Sequence, residues 1–280
     1  MKTFLMHADR DFDLQRAMPR NEDSLVQDLE LNVLFNAMAR GDTLLFDVAK
    51  RAILTGLEND PETIRYRQSV LKDCLKNESV VKELYAVAVD AIEGKKKTFW
   101  GIWGARYPAS ILYSSIEILD MLVIMLRRLR HIADVHAGEF ESLAFTQLFA
   151  MLKRELSDAY FAEVINHLKA LKFRKGVLIS ADLGKGNKGF NYTLRKPHDK
   201  KQNWVERIFA QQEGYAFTIN ERDESGHRAL SDLKSRGINS VANTLAQSAD
   251  HVLNFFIMLR TELAFYIGCL HLHGQLAGMG

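Results

Sequence analysis

RALSDLKSRGINSVANTLAQSADHVLNFFIMLRTELAFYIGCLHLHGQL, residues 228–276, is the stretch whose reading decides the fold. Apolar side chains fall at Val241, Leu245, Val252, Phe255, Leu259, Leu263, Ile267 and Leu270. The intervals are threes and fours or their sums, so these side chains stack on one face of a helix. No proline interrupts the run, and Gly237 is its one expected weak point. A helix of roughly 40 residues spans about 60 Å at 1.5 Å per residue. That exceeds ordinary globular length, so the stretch reads as a strut or as one member of a coiled bundle. It runs almost to a Gly-Met-Gly terminus. A strut that leads nowhere suggests a piece of a longer protein.

The 280 residues are 47% hydrophobic and 26% charged, an ordinary soluble balance with material for a sizeable core. Only four are proline, which favours long uninterrupted helices. A net charge of +2 is too small to argue for nucleic acid by itself, so any basic surface must come from local clustering. Cys74 and Cys269 lie far apart in sequence, as expected of a reduced, intracellular protein. No apolar run reaches the roughly 18 residues of a membrane span. The start, MKTFLMHADRDFDLQR, turns acidic after six residues and lacks a signal-peptide core, so the expected location is cytoplasmic and no membrane partner is expected.

Residues 1–22 read as an irregular lead-in closed by Pro19. Asp23 or Ser24 caps an expected helix through Met38, with Leu25, Leu29, Val33 and Met38 on one side. Gly41-Asp42 breaks it, and a second helix covers 43–57. Asp60-Pro61 then reads as a cap and first turn, opening a helix with Ile64, Tyr66, Val70, Leu71 and Leu75. Another helix runs from Asn77 or Ser79 to about Ile92. Residues 94–108 are basic, aromatic and glycine-rich, and read as a connection between helices. A long helix then covers 108–136 and a second covers 140–171. A short turn at Gly138 joins them, so the two are expected to be antiparallel. From Phe173 the period changes. Gly176-Val177-Leu178-Ile179-Ser180 and Phe190-Asn191-Tyr192-Thr193-Leu194 are β-type runs around a glycine-rich loop. A short helix over 204–209 and a third strand over 215–219 are expected before the terminal helix.

Two elements carry a family resemblance. Asp28-Leu29-Glu30-Leu31-Asn32-Val33-Leu34-Phe35 and Ile64-Arg65-Tyr66-Arg67-Gln68-Ser69-Val70-Leu71-Lys72-Asp73-Cys74-Leu75 resemble the start of the core-and-lever region of MutS-family DNA mismatch repair ATPases. The order that follows is similar too: long lever helices, an insertion, and a returning lever. The residue pattern gives a mainly α fold with a small antiparallel β insertion, and the resemblance implies that its long helices form a lever bundle. Its expected divisions are 1–107, an N-terminal helical core; 108–171, a lever helix pair; 172–222, a small clamp-like β insertion; and 223–280, a returning lever that leads to an ATPase domain outside the chain. It also implies double-stranded or branched DNA as partner, the protein's own ATPase domain as the lever's load, and a homodimer in the full-length protein. ATP and Mg are implied for the parent protein and no cofactor for this chain, which is expected not to be an enzyme. The family's mismatch-reading domain has no counterpart in the 22 residues before the core. The letters of its Phe-x-Glu wedge occur at Phe161-Ala162-Glu163, inside a helical pattern.

Among the chemical candidates, Gly184-Lys185-Gly186-Asn187-Lys188-Gly189-Phe190-Asn191 approaches a phosphate-binding loop. Phe190 and Asn191 stand where Lys and Ser or Thr must touch phosphate and magnesium. A β-type run follows instead of a helix, so no helix N-terminus faces an anion. A glycine hairpin loop is the plainer reading. Lys185, Lys188, Arg195, Lys196, Lys200 and Lys201 cluster there against Asp199 alone. Such a cluster either grips phosphates without reading sequence or is a solvated basic loop. In the resembled family an insertion at this place is the clamp over the DNA backbone. A secondary set, Lys95, Lys96, Lys97, Trp100, Trp103 and Arg106, suits base stacking or phosphate contact, or else anchors the connection through its tryptophans. His271 and His273 point to different faces of a helix and lack further ligands at suitable spacing, so no metal is expected. His131 and His136 read as helix-end groups, Cys269 as a small core residue, and Asp28, Glu30, Glu117 and Asp120 as solvated carboxylates. Two functions of different class remain: a lever between a DNA-contacting tip and an ATPase, and a helical scaffold that binds proteins through Trp100 and Trp103.

Overall fold

The structure is a computed structural model that describes residues 1–56, 60–100, 107–174, 176–195 and 218–279. It is mainly α, with one small two-stranded antiparallel sheet among the described residues. The helices are α1 (Glu22–Asp28), α2 (Leu31–Ala39), α3 (Thr43–Leu54), α4 (Pro61–Lys76), α5 (Glu78–Trp100), α6 (Pro108–His136), α7 (Leu143–Glu155), α8 (Asp158–Leu171) and α9 (Glu224–Ala277). The sheet pairs β1 (Leu178–Leu183) with β2 (Gly189–Arg195).

α9 is 54 residues long, about 80 Å at 1.5 Å per residue. Asp223 starts it by accepting a hydrogen bond from the Gly226 amide at 2.8 Å. Its expected apolar face lies inside the molecule: Phe255, Leu259, Leu263, Ile267 and Leu270 are buried, and Val241, Leu245 and Val252 are half-buried. α6, α5, α2 and α3 pack along it. One buried cluster joins Leu5 of the N-terminal segment, Val70 of α4, Leu84 of α5, Leu122 of α6, Phe145 of α7 and Leu259 of α9. α6 and α9 are each long and apolar enough to cross a membrane by length and composition, contrary to the expectation from apolar runs. Both pass because a core helix meets the same criteria, and each packs its apolar face against the other.

Several boundaries differ from the sequence reading. The helix expected through Met38 is two helices. Glu30 adopts a left-handed backbone (φ 52°) between α1 and α2, which rotates the second helix so that Phe35, Met38 and Ala39 face inward. Leu29 and Val33, expected on one side with Met38, are exposed while Met38 is buried. α3 stops at Leu54, with Asp42 as its cap. Asp60 caps α4 with Pro61 in the first turn, as the sequence implies. The second long helix, expected over 140–171, is interrupted. α7 ends at Glu155, and the Ser157 hydroxyl accepts from the Tyr160 amide at 3.2 Å to start α8. A capping serine there costs little in either arrangement and lets both pieces follow α6. The turn before α7 is stitched to α4: Asp73, buried, accepts from the amides of Glu141 and Ser142, and Asn77 Nδ2 donates to the Glu139 carbonyl.

The irregular lead-in is irregular but not loose. Leu5, Met6 and Phe12 are buried. The two carboxylate oxygens of Glu262, itself 0% exposed, accept the Leu5 amide at 2.7 Å and the Phe12 amide at 2.9 Å. Tyr266 Oη donates to the Leu5 carbonyl, Tyr66 Oη to the Phe4 carbonyl and Arg67 Nε to the Met6 carbonyl. Residues 1–16 thus form a strap whose main chain is fastened by side chains of α4 and α9.

Candidate nucleic-acid interface

The basic insertion is a hairpin, as its glycine-rich loop predicts. The Gly184 amide donates to the Lys188 carbonyl at 2.9 Å, and Gly186 takes a left-handed φ of 71° that a glycine accepts without strain. The register is Leu178 with Arg195, Ile179 with Leu194, Ser180 with Thr193, then Asp182 with Phe190 and Leu183 with Gly189. The shift between Ser180 and Asp182 leaves the extra residue on β2, where Asn191 is left-handed (φ 51°). Asn191 Nδ2 donates to Asp182 Oδ2 across the bulge at 3.1 Å.

Paired residues share a face. Ile179 and Leu194 are half-buried toward α9. Gly237 receives Ile179 there: a Cβ at position 237 would sit 2.4 Å from Ile179 Cδ1. Gly237 is therefore not a weak point of the helix but the seat of the hairpin. The neighbouring Arg236 guanidinium stands 5.8 Å from the centre of the Tyr192 ring. Arg195 lies on the other face, where its Nε donates to Ser180 Oγ at 2.9 Å.

Lys185 and Lys188, in the turn, and Arg195, at the end of β2, are all exposed, and none makes an ion pair among the described residues. The structure brings these three onto one two-stranded ribbon and adds Arg236, which sequence reasoning missed. Its only signal was its place beside Gly237 on the predicted helix. Lys196, Lys200 and Lys201 lie outside the described residues, as do the helix expected over 204–209 and most of the third strand. Thr218 and Ile219 are not in a strand.

The secondary set changes character. Lys95, Lys96 and Lys97 belong to α5, not to a connecting loop. α5 continues past Ile92 to Trp100, and Gly94 lies against Met121 of α6, where an added Cβ would sit 3.0 Å from Met121 Sδ. Lys95 Nζ bonds Asp250 Oδ1 at 2.8 Å, a tie between α5 and α9. Trp103 and Arg106 lie outside the described residues, and so does the side chain of Trp100.

The remaining candidates resolve as packing groups. Among the described residues no group of His, Cys, Asp and Glu has the makings of a metal site. His271 Nδ1 lies 2.9 Å from the Met38 carbonyl, and His136 Nδ1 lies 2.9 Å from Glu139 Oε1. Burial pushes the Cys269 thiol up to about 12 and raises that of Cys74 well above its usual value, so both are poor nucleophiles. Phe161 is buried in α8 beneath the Arg127 guanidinium, 4.6 Å from the ring centre. Lys172 Nζ pairs with Asp120 at 2.7 Å. A cleft of about 310 Å³ between the strap and α4 is lined by His7, Arg10, Arg16, Asp60, Thr63 and Arg67. Arg67 Nη2 donates to His7 Nε2 at 3.0 Å, and burial together with Arg67 pulls His7 down to about 4.

Compared with known proteins, the chain matches the family model described as the MutS2 N-terminal domain over residues 59–279. No curated protein and no solved structure matches it significantly. The match takes in the 64–75 element and everything from α4 to the end of α9, and leaves out residues 28–35. Covering more than half of the chain, it shows that the protein belongs to the MutS2 N-terminal domain family.

Proposed function

We propose that this chain is the lever region of a MutS-like DNA repair protein, coupling DNA contact at the β1–β2 hairpin to a C-terminal ATPase domain of a longer protein. The observation that carries the reading is α9 itself. One uninterrupted helix holds the hairpin at Gly237 and Arg236, and farther along is packed by α2, α3, α5 and α6. A displacement at one end of such a helix is carried to the other, because bending it would break backbone hydrogen bonds and unpack the face from Phe255 to Leu270. In this reading the hairpin is a reduced clamp, and Lys185, Lys188 and Arg195 grip the phosphates of double-stranded or branched DNA, with Lys196, Lys200 and Lys201 as further contacts. ATP and Mg act in the ATPase domain. The chain itself transmits rather than catalyses, and the protein works in the cytoplasm, in DNA repair.

The test is titration of the chain against duplex DNA at several salt concentrations. Replacing Lys185, Lys188, Arg195 and Lys196 with Glu weakens binding and flattens the dependence of log K on log[salt], by about 0.9 for each phosphate that is no longer neutralised. An unchanged affinity and slope would overturn the DNA reading. ATP hydrolysis by the purified chain would overturn its assignment as a lever.

A further inference from the structure

The cleft between the strap and the start of α4 gathers three arginines, Arg10, Arg16 and Arg67. Arg67 is half-buried and makes no ion pair among the described residues. Its Nε and Nη2 donate to neutral groups, the Met6 carbonyl and His7 Nε2. Gly56 leaves room for the remaining nitrogen: a Cβ there would stand 3.2 Å from Arg67 Nη1. Burial lowers the pKa of Arg67, and Arg10 and Arg16 lower it further against the pull of Tyr266 and Glu262. The acids of the cleft are already engaged. Asp60 accepts from the Glu62 and Thr63 amides, Asp13 from the Gln15 amide, and Asp11 Oδ2 from Lys2 Nζ at 2.9 Å. Two buried atoms on the strap side have no hydrogen-bond partner among the described residues, Asp11 Oδ1 and His7 Nδ1, and His7 as a whole is only 8% exposed. His7 Nε2 accepts from Arg67, so Nδ1 carries the ring hydrogen and is a donor. The cleft therefore holds a buried donor, a buried acceptor and a guanidinium without a counter-ion. Native proteins rarely leave such groups unpaired.

A second hollow, of about 320 Å³, shares Arg10, Asp60 and Thr63 with the first. Asp9, Glu62 and the half-buried Tyr66 line it in place of Arg16 and Arg67. One compartment is rich in guanidinium groups, and the other offers carboxylates beside an aromatic ring. The complementary ligand carries an oxyanion at one end and a flat group with N–H donors at the other. Guanidinium forks match the oxygens of a phosphate, and a planar heterocycle packs on a tyrosine ring. Each hollow lies at the small end of the roughly 300–1,000 Å³ of small-molecule sites, so the ligand is small. We propose that this cleft binds a nucleoside monophosphate, with its phosphate on Arg67, Arg10 and Arg16 and its base against Tyr66. His7 Nδ1 donates to the phosphate, and Asp11 Oδ1 accepts from a sugar hydroxyl. The first-turn amides of α4 are taken by Asp60, so the site acts through side chains. The ligand touches both the strap and α4, and its binding adds one more fastening to those from Glu262 and Tyr266. No residue of the β1–β2 hairpin lines the cleft, so the inference stands apart from the DNA reading.

The experiment is calorimetric titration of the chain with AMP, GMP, inorganic phosphate and adenosine. At least one of the two nucleotides binds roughly tenfold more tightly than inorganic phosphate, and adenosine gives no heat. Arg10 is exposed, so Arg10→Glu leaves the thermal melt unchanged and weakens the nucleotide by roughly tenfold or more. Arg67→Lys keeps the charge but loses the fork, and weakens binding as well. Arg67 also holds the strap, so the melt without ligand checks that this variant folds; Arg10→Glu carries the test if it does not. Hydrogen exchange with and without nucleotide locates the site: amides from Ala8 to Arg16 slow, and those of the β1–β2 ladder do not. Lys185→Glu, in the hairpin, binds the nucleotide as the wild type does. Equal affinity for inorganic phosphate and both nucleotides overturns the proposal, and so does the absence of heat with every probe. Nucleotide binding that Arg10→Glu leaves unchanged places the ligand elsewhere and overturns it too.

Discussion

The strap and the hairpin are both non-helical, and both lie against α9, the strap on the half that carries Glu262 and Tyr266, the hairpin on the half that carries Arg236 and Gly237. They are fastened by opposite means. The strap is held by polar side chains from inside the core, each taking a main-chain group that has no strand to pair with. The hairpin satisfies its own main chain across the β1–β2 ladder and rests on α9 through Ile179, Leu194 and Tyr192. Buried hydrogen bonds fix a segment, because releasing it leaves donors and acceptors unpaired inside the protein. An apolar seat on one glycine leaves most of the hairpin in water, with its basic turn outward. One half of α9 is built for rigidity, and the other presents a tip.

The largest effect expected from this contrast is at Glu262. Glu262→Leu leaves the Leu5 and Phe12 amides as buried, unpaired donors, and costs roughly 2–4 kcal/mol. Glu262→Gln keeps one acceptor and costs less. Urea unfolding of the two variants at one pH checks the order. A Leu variant as stable as the wild type would place the strap on the same footing as the hairpin.

pH gives the next effect. Burial raises the Glu262 carboxyl from 4.5 to about 7 against the opposing pull of its amide donors. The folded protein therefore keeps this proton between pH 4.5 and 7 while the unfolded chain has lost it, so the contribution falls as pH rises through that window, by up to about 3 kcal/mol. His7, also in the strap, is lowered from 6.5 to about 4, and its contribution is lost in the other direction, as pH falls from 6.5 toward 4. Unfolding free energies measured from pH 4.5 to 8 for the wild type and Glu262→Gln should converge at the alkaline end relative to the acid end. Parallel curves would remove Glu262 as the titrating group.

The same contrast explains what could be read from the sequence. α9 and the hairpin announce themselves locally, the helix by apolar residues at threes and fours, the hairpin by β-type runs on either side of Gly184, Gly186 and Gly189. The Asp60-Pro61 start of α4 was legible for the same reason. The strap was not, because Leu5 and Glu262 are 257 positions apart and nothing near either residue encodes the bond. Glu262 on a helix looks like any solvated carboxylate until the chain is folded. The break at Ser157 was hidden because a serine in a helical pattern and a serine at a cap are the same letter. The helical course of Lys95 to Lys97 was hidden because Gly94, the weakest helix former apart from proline, stands just before them. At the candidate interface the lysines were legible as a cluster, but Arg236 and the bulge at Asn191 needed the three-dimensional register.

The smallest global effect, and the sharpest local one, belongs to Gly237. In an isolated helix, replacing glycine by alanine stabilises by about 1 kcal/mol. Here the added methyl would stand 2.4 Å from Ile179 Cδ1 and 2.7 Å from its Cγ1, so the isoleucine must move and the hairpin with it. The gain along the helix and the loss at the seat act on different parts of the molecule. Gly237→Ala should therefore leave the global unfolding free energy within about 1 kcal/mol of the wild type, while hydrogen exchange quickens at the β1–β2 amides and stays unchanged at Leu5 and Phe12. Adding Ile179→Ala to Gly237→Ala reopens the space and restores protection in the hairpin. If the ladder amides of Gly237→Ala exchange as slowly as before, the hairpin is held by the Arg236–Tyr192 contact instead of by the glycine seat. A uniform change at both sites would mean that the two halves of α9 open together, and that the hairpin moves only when the core does.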